Sequence, residues 1–278
     1  MSLTIKLLII ACFSSILLVA CKGGKMVEKA SQFPTVKDVP ISSWKKLSEK
    51  KIIFGHQSVG YNIIDGIRDL MKEHPQIKLN IVETADKSDF KEGLFAHVGV
   101  GKNREPESKT HTFARLMEGG IGGKADIAFF KFCYVDANDR TDIQKLFRDY
   151  ESTLFRLREA YPETIFIHVT MPLTSIQIGP KAWVKKILGR QIRGIDDNIK
   201  RNQFNDMLRK EGEGKAPIFD LAKIESTFPD GTRSLLRKNG EVIYSLVPDY
   251  THDGGHLNPF GRKIIAEQLL VFLAQLIE

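Results

Sequence analysis

Five short apolar runs, at Lys51–Phe54, Ile77–Val82, Ile127–Phe132, Ile165–Val169 and Ile218–Phe219, are each bounded by polar or turn-forming residues. Runs this short and this apolar are what strands buried on both faces of a sheet require. Helical stripes separate them. Ile63, Ile64, Ile67, Leu70 and Met71 share one face, as do Ile143, Leu146, Phe147, Tyr150, Leu154 and Leu157. A last stripe, Ile264, Ile265, Leu269, Phe272 and Leu276, follows Asn258, a good cap, and Pro259, which suits a first turn. Strand–helix alternation with short connections predicts an α/β fold, a parallel sheet covered by helices on both faces. In such sheets chemistry gathers at the carboxyl ends of the strands, which directs attention to the loops after Phe54, Val82, Phe132 and Val169. The 278 residues suffice for one generous core but not for two domains of comfortable size. A content of 42% hydrophobic and 27% charged residues excludes a disordered chain and a multi-span membrane protein.

The amino terminus reads as an address. Lys6 precedes an apolar run from Leu7 to Val19, too short to span a bilayer comfortably and suited to the apolar region of a secretory signal. The run ends in Leu18-Val19-Ala20-Cys21, which resembles the lipobox of bacterial lipoproteins. That resemblance implies acylation of Cys21 after removal of residues 1–20, and a lipid-anchored protein of the cell envelope. Residues 21–45 are then expected to hold the lipidated cysteine and a tether, and residues 46–278 the domain. The alternative is an uncleaved anchor helix. With Cys12 in the signal and Cys21 lipidated, Cys133 stands alone in an apolar stretch, as a small buried hydrophobe does.

Two places carry chemistry. Gly55-His56-Gln57-Ser58-Val59-Gly60 follows the first strand and runs directly into a helix, so Ser58 sits at a strand's carboxyl edge beside a positive helix terminus. A nucleophile whose attack creates an oxyanion suits that position; so does a serine serving only as a helix cap. Near the other end, Asp253-Gly254-Gly255-His256 precedes the last helix. Two glycines let the backbone fold tightly enough for the carboxylate to meet the imidazole, fixing its tautomer and leaving the other nitrogen to take a proton. An Asp–His pair that merely caps the helix, or a metal site built with His252, would leave the same residues. Asp136, Asn138, Asp139 and Asp142 match no recognised metal-binding spacing, so no metal or other cofactor is expected.

A serine just after the first strand and a late Asp-x-x-His before the final helix resemble the SGNH (GDSL-like) hydrolases. Asp253-Gly254-Gly255-His256-Leu257-Asn258-Pro259-Phe260-Gly261 is similar to that family's last block. Arg201-Asn202-Gln203-Phe204-Asn205-Asp206-Met207-Leu208 resembles the helix that usually precedes its fifth strand. The resemblance runs from about Lys50 onward and implies a flavodoxin-like three-layer α/β/α sandwich with a mainly five-stranded parallel sheet. It also implies ester hydrolysis through an acyl-serine, with Ser58 as nucleophile, His256 as general base and Asp253 as its orienting acid. The implied oxyanion donors are Gly99 or Gly101 in the second block, with Asn138 as a candidate in the third. Three departures stand out. His56 and Gln57 separate Gly55 from Ser58 where the family has one residue, the second-block glycine is ambiguous, and Val135 stands where the oxyanion asparagine is expected. Gln57 and Lys131 are further donors within reach in sequence. An α/β-hydrolase also uses the order Ser…Asp…His, but its elbow wants Gly-x-Ser-x-Gly, and here His56 holds the first glycine's place.

The net charge of +7 is local: Lys181 to Arg201 carries seven basic and two acidic residues. Lys185, Lys186 and Arg190 in this stretch are candidates for a substrate rim that attracts an anionic ester or glycan, or for contact with anionic headgroups; a solvated surface insertion would look the same. No nucleic-acid reading motif accompanies the charge, so nucleic acid is not an expected partner. The expected partners are a small ester or glycan-ester substrate, hydrolysed by an exported serine esterase, and a membrane engaged through the lipid. The competing expectation is a catalytically silent scaffold of the same fold that binds glycan or a protein.

Overall fold

Six parallel strands form the central sheet in the order β2-β3-β1-β4-β5-β6. They are β1 Lys51–His56, β2 Ile81–Glu83, β3 Leu94–Gly99, β4 Ile127–Phe130, β5 Ile165–Val169 and β6 Ile218–Phe219. The computed structural model describes residues 32–177, 187–188, 192, 194–212 and 216–278. An antiparallel hairpin, β7 Leu235–Lys238 and β8 Glu241–Tyr244, lies apart from the sheet.

Alternation along each strand divides the core into two layers. Ile52 and Phe54 of β1, Phe129 of β4 and Phe219 of β6 face one cluster. Its helices are α1 Ile41–Ser48, α2 Ser58–Glu73, α6 Leu221–Glu225 and α7 Pro259–Leu276. Ile53, Ala96, Ala128 and Phe130 face the other cluster, covered by α3 Pro106–Leu116, α4 Ile143–Ala160 and α5 Ile195–Gly212. This is the three-layer α/β/α sandwich expected. The sheet has six strands rather than five. The missing strand is β3, which pairs with β1 from Lys51↔Leu94 to His56↔Gly99. Buried His97 interrupts its apolar run, so the segment does not read as a strand. Conversely, Ile77 and Leu79 are buried ahead of the ladder, and β2 itself is only the edge strand Ile81–Glu83.

The packed domain also begins earlier than residue 46. Val36, Val39, Trp44 and Leu47 are buried with α7 residues in the same cluster. The Val36 N–H donates to Glu267 at 3.0 Å and Ser43 Oγ to Glu278 at 2.9 Å. Burying four such side chains contributes roughly 1.5–3 kcal/mol each, so this stretch belongs to the domain rather than to a tether. Among the described residues no helix is long and apolar enough to cross a membrane.

Helices α2 and α7 pack against each other along their length. At Gly66 of α2 a Cβ would lie 2.4 Å from the Arg262 carbonyl oxygen, so only glycine permits α7 to approach this closely. The Arg262 guanidinium then donates twice to Asp69, at 3.1 and 2.6 Å, and Lys263 pairs with Glu73. The helix that begins at Ser58 is thereby clamped to the helix that begins just after His256.

Candidate active site

Ser58 is the first residue of α2, at the carboxyl edge of β1, and is half-buried. The residue in the cap position is Gln57, and no side chain caps this helix start. The serine is therefore not used as a cap; the Gly60 N–H turns back to the Gln57 carbonyl at 2.7 Å, which leaves the Ser58 and Val59 N–H groups to face an anion. The turn is shaped by His56. A Cβ at Gly60 would lie 2.1 Å from the His56 ring, so the sequence needs glycine in the first helical turn. Gln57 Nε2 donates to the carbonyls of Val100 and Gly101 at 3.1 and 2.9 Å. Its amide ties the serine loop to the loop after β3 and has no donor left for an oxyanion.

The Asp253–His256 segment closes on itself. Asp253 Oδ2 accepts from His256 Nδ1 at 2.6 Å, while Oδ1 accepts the N–H groups of Gly255 and His256 at 2.9 and 2.8 Å. Gly254 adopts φ +90°, which favours glycine, and its carbonyl accepts from the Ser175 N–H at 2.9 Å. Burial would raise the Asp253 carboxyl, but the His256 ring and the two backbone donors hold it below the usual carboxylate range. A carboxylate only accepts, so in the neutral imidazole Nδ1 carries the proton and Nε2 presents its lone pair.

Leu257 N–H donates to Asn62 Oδ1 at 3.2 Å. Asn62 lies one turn along α2 from Ser58 and on the same helical face, so this bond sets the histidine loop against the serine helix. Among the described residues no hydrogen bond joins Ser58 Oγ to His256. The imidazole's near neighbour is Tyr134, whose hydroxyl lies 3.3 Å from Nδ1 and 3.4 Å from Nε2. Nearly equal distances put that oxygen across the ring rather than on the Nε2 lone pair. A Cβ at Gly255 would fall 2.5 Å from Tyr134 Cζ, which accounts for the second glycine of the motif.

Gly99 ends β3, exposed, and a Cβ there would make only ordinary contact with Gln57 Nε2, at 3.6 Å. Gly101 is held by the fold instead: φ is +57° and a Cβ would meet the Lys109 backbone at 2.5 Å. After β4, Tyr134–Asp136 form a short 3-10 turn with Val135 half-buried. Asn138 turns its carbonyl to the Arg140 N–H at 2.9 Å and lines a cavity of about 220 Å³ with Tyr134 and Val135. Lys131 is fully buried under the site, its ammonium on the Phe132 carbonyl, and burial pushes its pKa down. Cys21, Lys185, Lys186 and Arg190 lie outside the described residues.

Three supporting groups escaped the sequence reading. Asp136, buried, accepts from Lys109 Nζ at 2.5 Å, from the Cys133 N–H at 2.6 Å and from the Arg104 N–H at 2.9 Å. It joins the loops after β3 and β4, which flank β1 on either side. His56 is buried and neutral: burial, with Lys131 nearby, lowers its pKa to about 3. Its Nδ1 donates to the Gln57 carbonyl at 3.0 Å, so its Nε2 accepts from His97 Nδ1 at 3.1 Å. Asn62 is the third. Among the described residues no group of three or more His, Cys, Asp or Glu side chains is arranged to hold a metal ion.

No protein-family model and no curated protein matches this chain. Solved structures match it in fold. A GDSL-like lipase from Bacteroides thetaiotaomicron superposes over 84% of this chain and 90% of its own, with 14% identity and a TM-score of 0.50. A carbohydrate esterase of family 3 from Talaromyces cellulolyticus covers 82% of this chain and 98% of its own, at 15% identity and a TM-score of 0.47. The periplasmic domain of a lipopolysaccharide acetyltransferase from Salmonella ser. Paratyphi A covers 80% and 83%, at 11% and 0.42. At such identities the likeness speaks of architecture: the chain has an SGNH hydrolase-like fold.

Proposed function

We propose that this chain is a serine ester hydrolase in which His256, oriented by Asp253, deprotonates Ser58 for attack on an ester carbonyl. The observation that carries the reading is the 2.6 Å bond between His256 Nδ1 and Asp253, made on a loop that Asn62 holds against the serine helix. Attack forms the Ser58 Oγ–carbonyl bond while the proton passes to His256 Nε2. Collapse expels the alcohol, which takes that proton, and water then releases the acyl group by the same steps. The developing oxyanion is met by the Ser58 N–H at the uncapped helix start, by Gly99, and by the Tyr134 hydroxyl. Tyr134 takes the place of the asparagine that Val135 replaces. Gly101 and Gln57 are occupied in holding the loop, and Asn138 has its carbonyl on the Arg140 N–H.

The substrate class we favour is an O-acyl ester on a glycan of the cell envelope or its surroundings. The Leu18-Val19-Ala20-Cys21 sequence supports export and lipid anchoring at Cys21. The second reading, a catalytically silent scaffold binding glycan or protein, is favoured by Val135 and by the absence of a Ser58–His256 hydrogen bond among the described residues. Hydrolysis of p-nitrophenyl acetate separates the two. The esterase reading expects turnover that falls to background in both Ser58→Ala and His256→Ala with circular dichroism unchanged; equal rates in all three proteins support the scaffold.

A further inference from the structure

The cavity of about 220 Å³ beside Tyr134 is lined by Arg104, Tyr134, Asn138, Thr174, Asp197 and Arg201, among others. Its two guanidinium groups differ in kind. Arg201 is buried and used up: Nε donates to the Tyr134 carbonyl at 2.7 Å, one terminal nitrogen to Thr174 and Asn198, and the other to the Ala137 carbonyl. Asp197 balances its charge at 3.7 Å. Arg104 is the opposite case. It is exposed, and its guanidinium has no hydrogen-bond or ion-pair partner among the described residues.

The backbone beneath Arg104 is unusual. At φ 69° it is one of two non-glycine residues with positive φ among the described residues, a conformation costing about 1–2 kcal/mol. Buried Asp136 holds it there by accepting the Arg104 N–H, and Lys109 neutralises that carboxylate from behind. The carboxylate that positions Arg104 is thus already matched and leaves the guanidinium charge unspent. The cavity's shared wall with the candidate active site is Tyr134, whose hydroxyl lies 3.3 Å from His256. Arg104 and Tyr134 thus line one cavity, and Tyr134 also meets the imidazole.

We infer that Arg104 and this cavity form a subsite for a carboxylate on the substrate, so that the preferred ester carries a negative charge a few bonds from its scissile carbonyl, as an acylated acidic sugar would. The inference rests on the Ser58–His256 reading. Arginine suits the role because its planar fork meets both carboxylate oxygens. Asp197, which lines the same cavity, pairs with Arg201 at 3.7 Å.

The test compares 4-acetoxybenzoate with its neutral methyl ester, each rate divided by that of hydroxide-catalysed hydrolysis. The purified protein is expected to favour the anionic ester by about tenfold or more in kcat/KM, less at 1 M salt, where charge interactions are screened within about 3 Å. Arg104→Gln should bring that ratio near one, Arg104→Lys should keep part of it, and Arg104→Glu should invert it. A wild-type ratio at or below one, or a ratio that Arg104→Gln leaves unchanged in a folded protein, overturns the subsite while leaving the esterase reading intact. Failure to hydrolyse either ester, with Ser58→Ala indistinguishable from wild type, overturns both.

Discussion

Lys109 Nζ and Asp136 Oδ2 lie 2.5 Å apart with neither side chain exposed to solvent. The pair ties α3 to the turn after β4, and with it the loops on either side of Ser58. Removing one member would leave an uncompensated charge in the interior, which typically costs about 3–5 kcal/mol. Lys109→Met should therefore lower urea stability by that order, whereas Lys109→Met with Asp136→Asn should recover part of it, because the amide removes the buried charge and its oxygen still accepts a backbone N–H. A single-variant loss below about 1 kcal/mol would show that the pair is not what joins the loops.

Tyr134→Phe removes one oxygen and leaves the ring against Gly255. If the hydroxyl donates to the oxyanion, kcat for p-nitrophenyl acetate should fall ~10²–10³-fold with little change in KM. An unchanged kcat would return the donor role to Asn138, and Asn138→Ala would then show the loss.

Gly255→Ala places a methyl group 2.5 Å from Tyr134 Cζ. Either the ring or the His256 loop must move, and a displacement near 1 Å at such a site can cost on the order of 10²-fold in rate. The same substitution in a Tyr134→Ala background should add little. An equal further loss there would mean that Gly255 acts through something other than Tyr134.

The buried histidines make stability fall in acid. Arg158 can only donate, so His168 Nε2 accepts from it at 2.9 Å and Nδ1 faces the Tyr150 hydroxyl at 2.8 Å. Burial, then the nearby Arg158 charge, lowers His168 to about 4, as burial lowers His56 to about 3. The unfolded chain takes up protons near pH 6.5 that the folded chain refuses. Stability is thus fully present above pH 6.5 and declines as pH falls toward 4, with a slope of up to ~1.4 kcal/mol per pH unit from each group. Urea unfolding of wild type and His168→Gln at pH 7.5 and 4.5 checks this. A variant that keeps the full acid loss contradicts the assignment to His168.

Much of the fold and of the Asp–His pair was legible in the residues because it is local. The stripes of α2, α4 and α7 are continuous, Asn258 caps α7 by accepting from the Gly261 N–H at 2.8 Å, and Asp253 meets His256 three residues away. The features that were not legible are pairwise and distant. β3 was hidden because His97, polar in the sequence, is buried against His56, 41 residues earlier. Tyr134 and Arg104 gain their meaning only from His256 and Asp136, and nothing in their own neighbourhoods announces it. The glycines come nearest to a signal: Gly60 and Gly255 each make room for an aromatic ring supplied by another segment or by the preceding strand.

The central claim is that His256 activates Ser58, and the most direct measurement is covalent labelling by a fluorophosphonate followed by peptide mass mapping. The expected result is a single adduct on Ser58 in the purified protein, absent in Ser58→Ala and slowed at least ~10³-fold in His256→Ala. No adduct, or an adduct on another residue that survives Ser58→Ala, would contradict it.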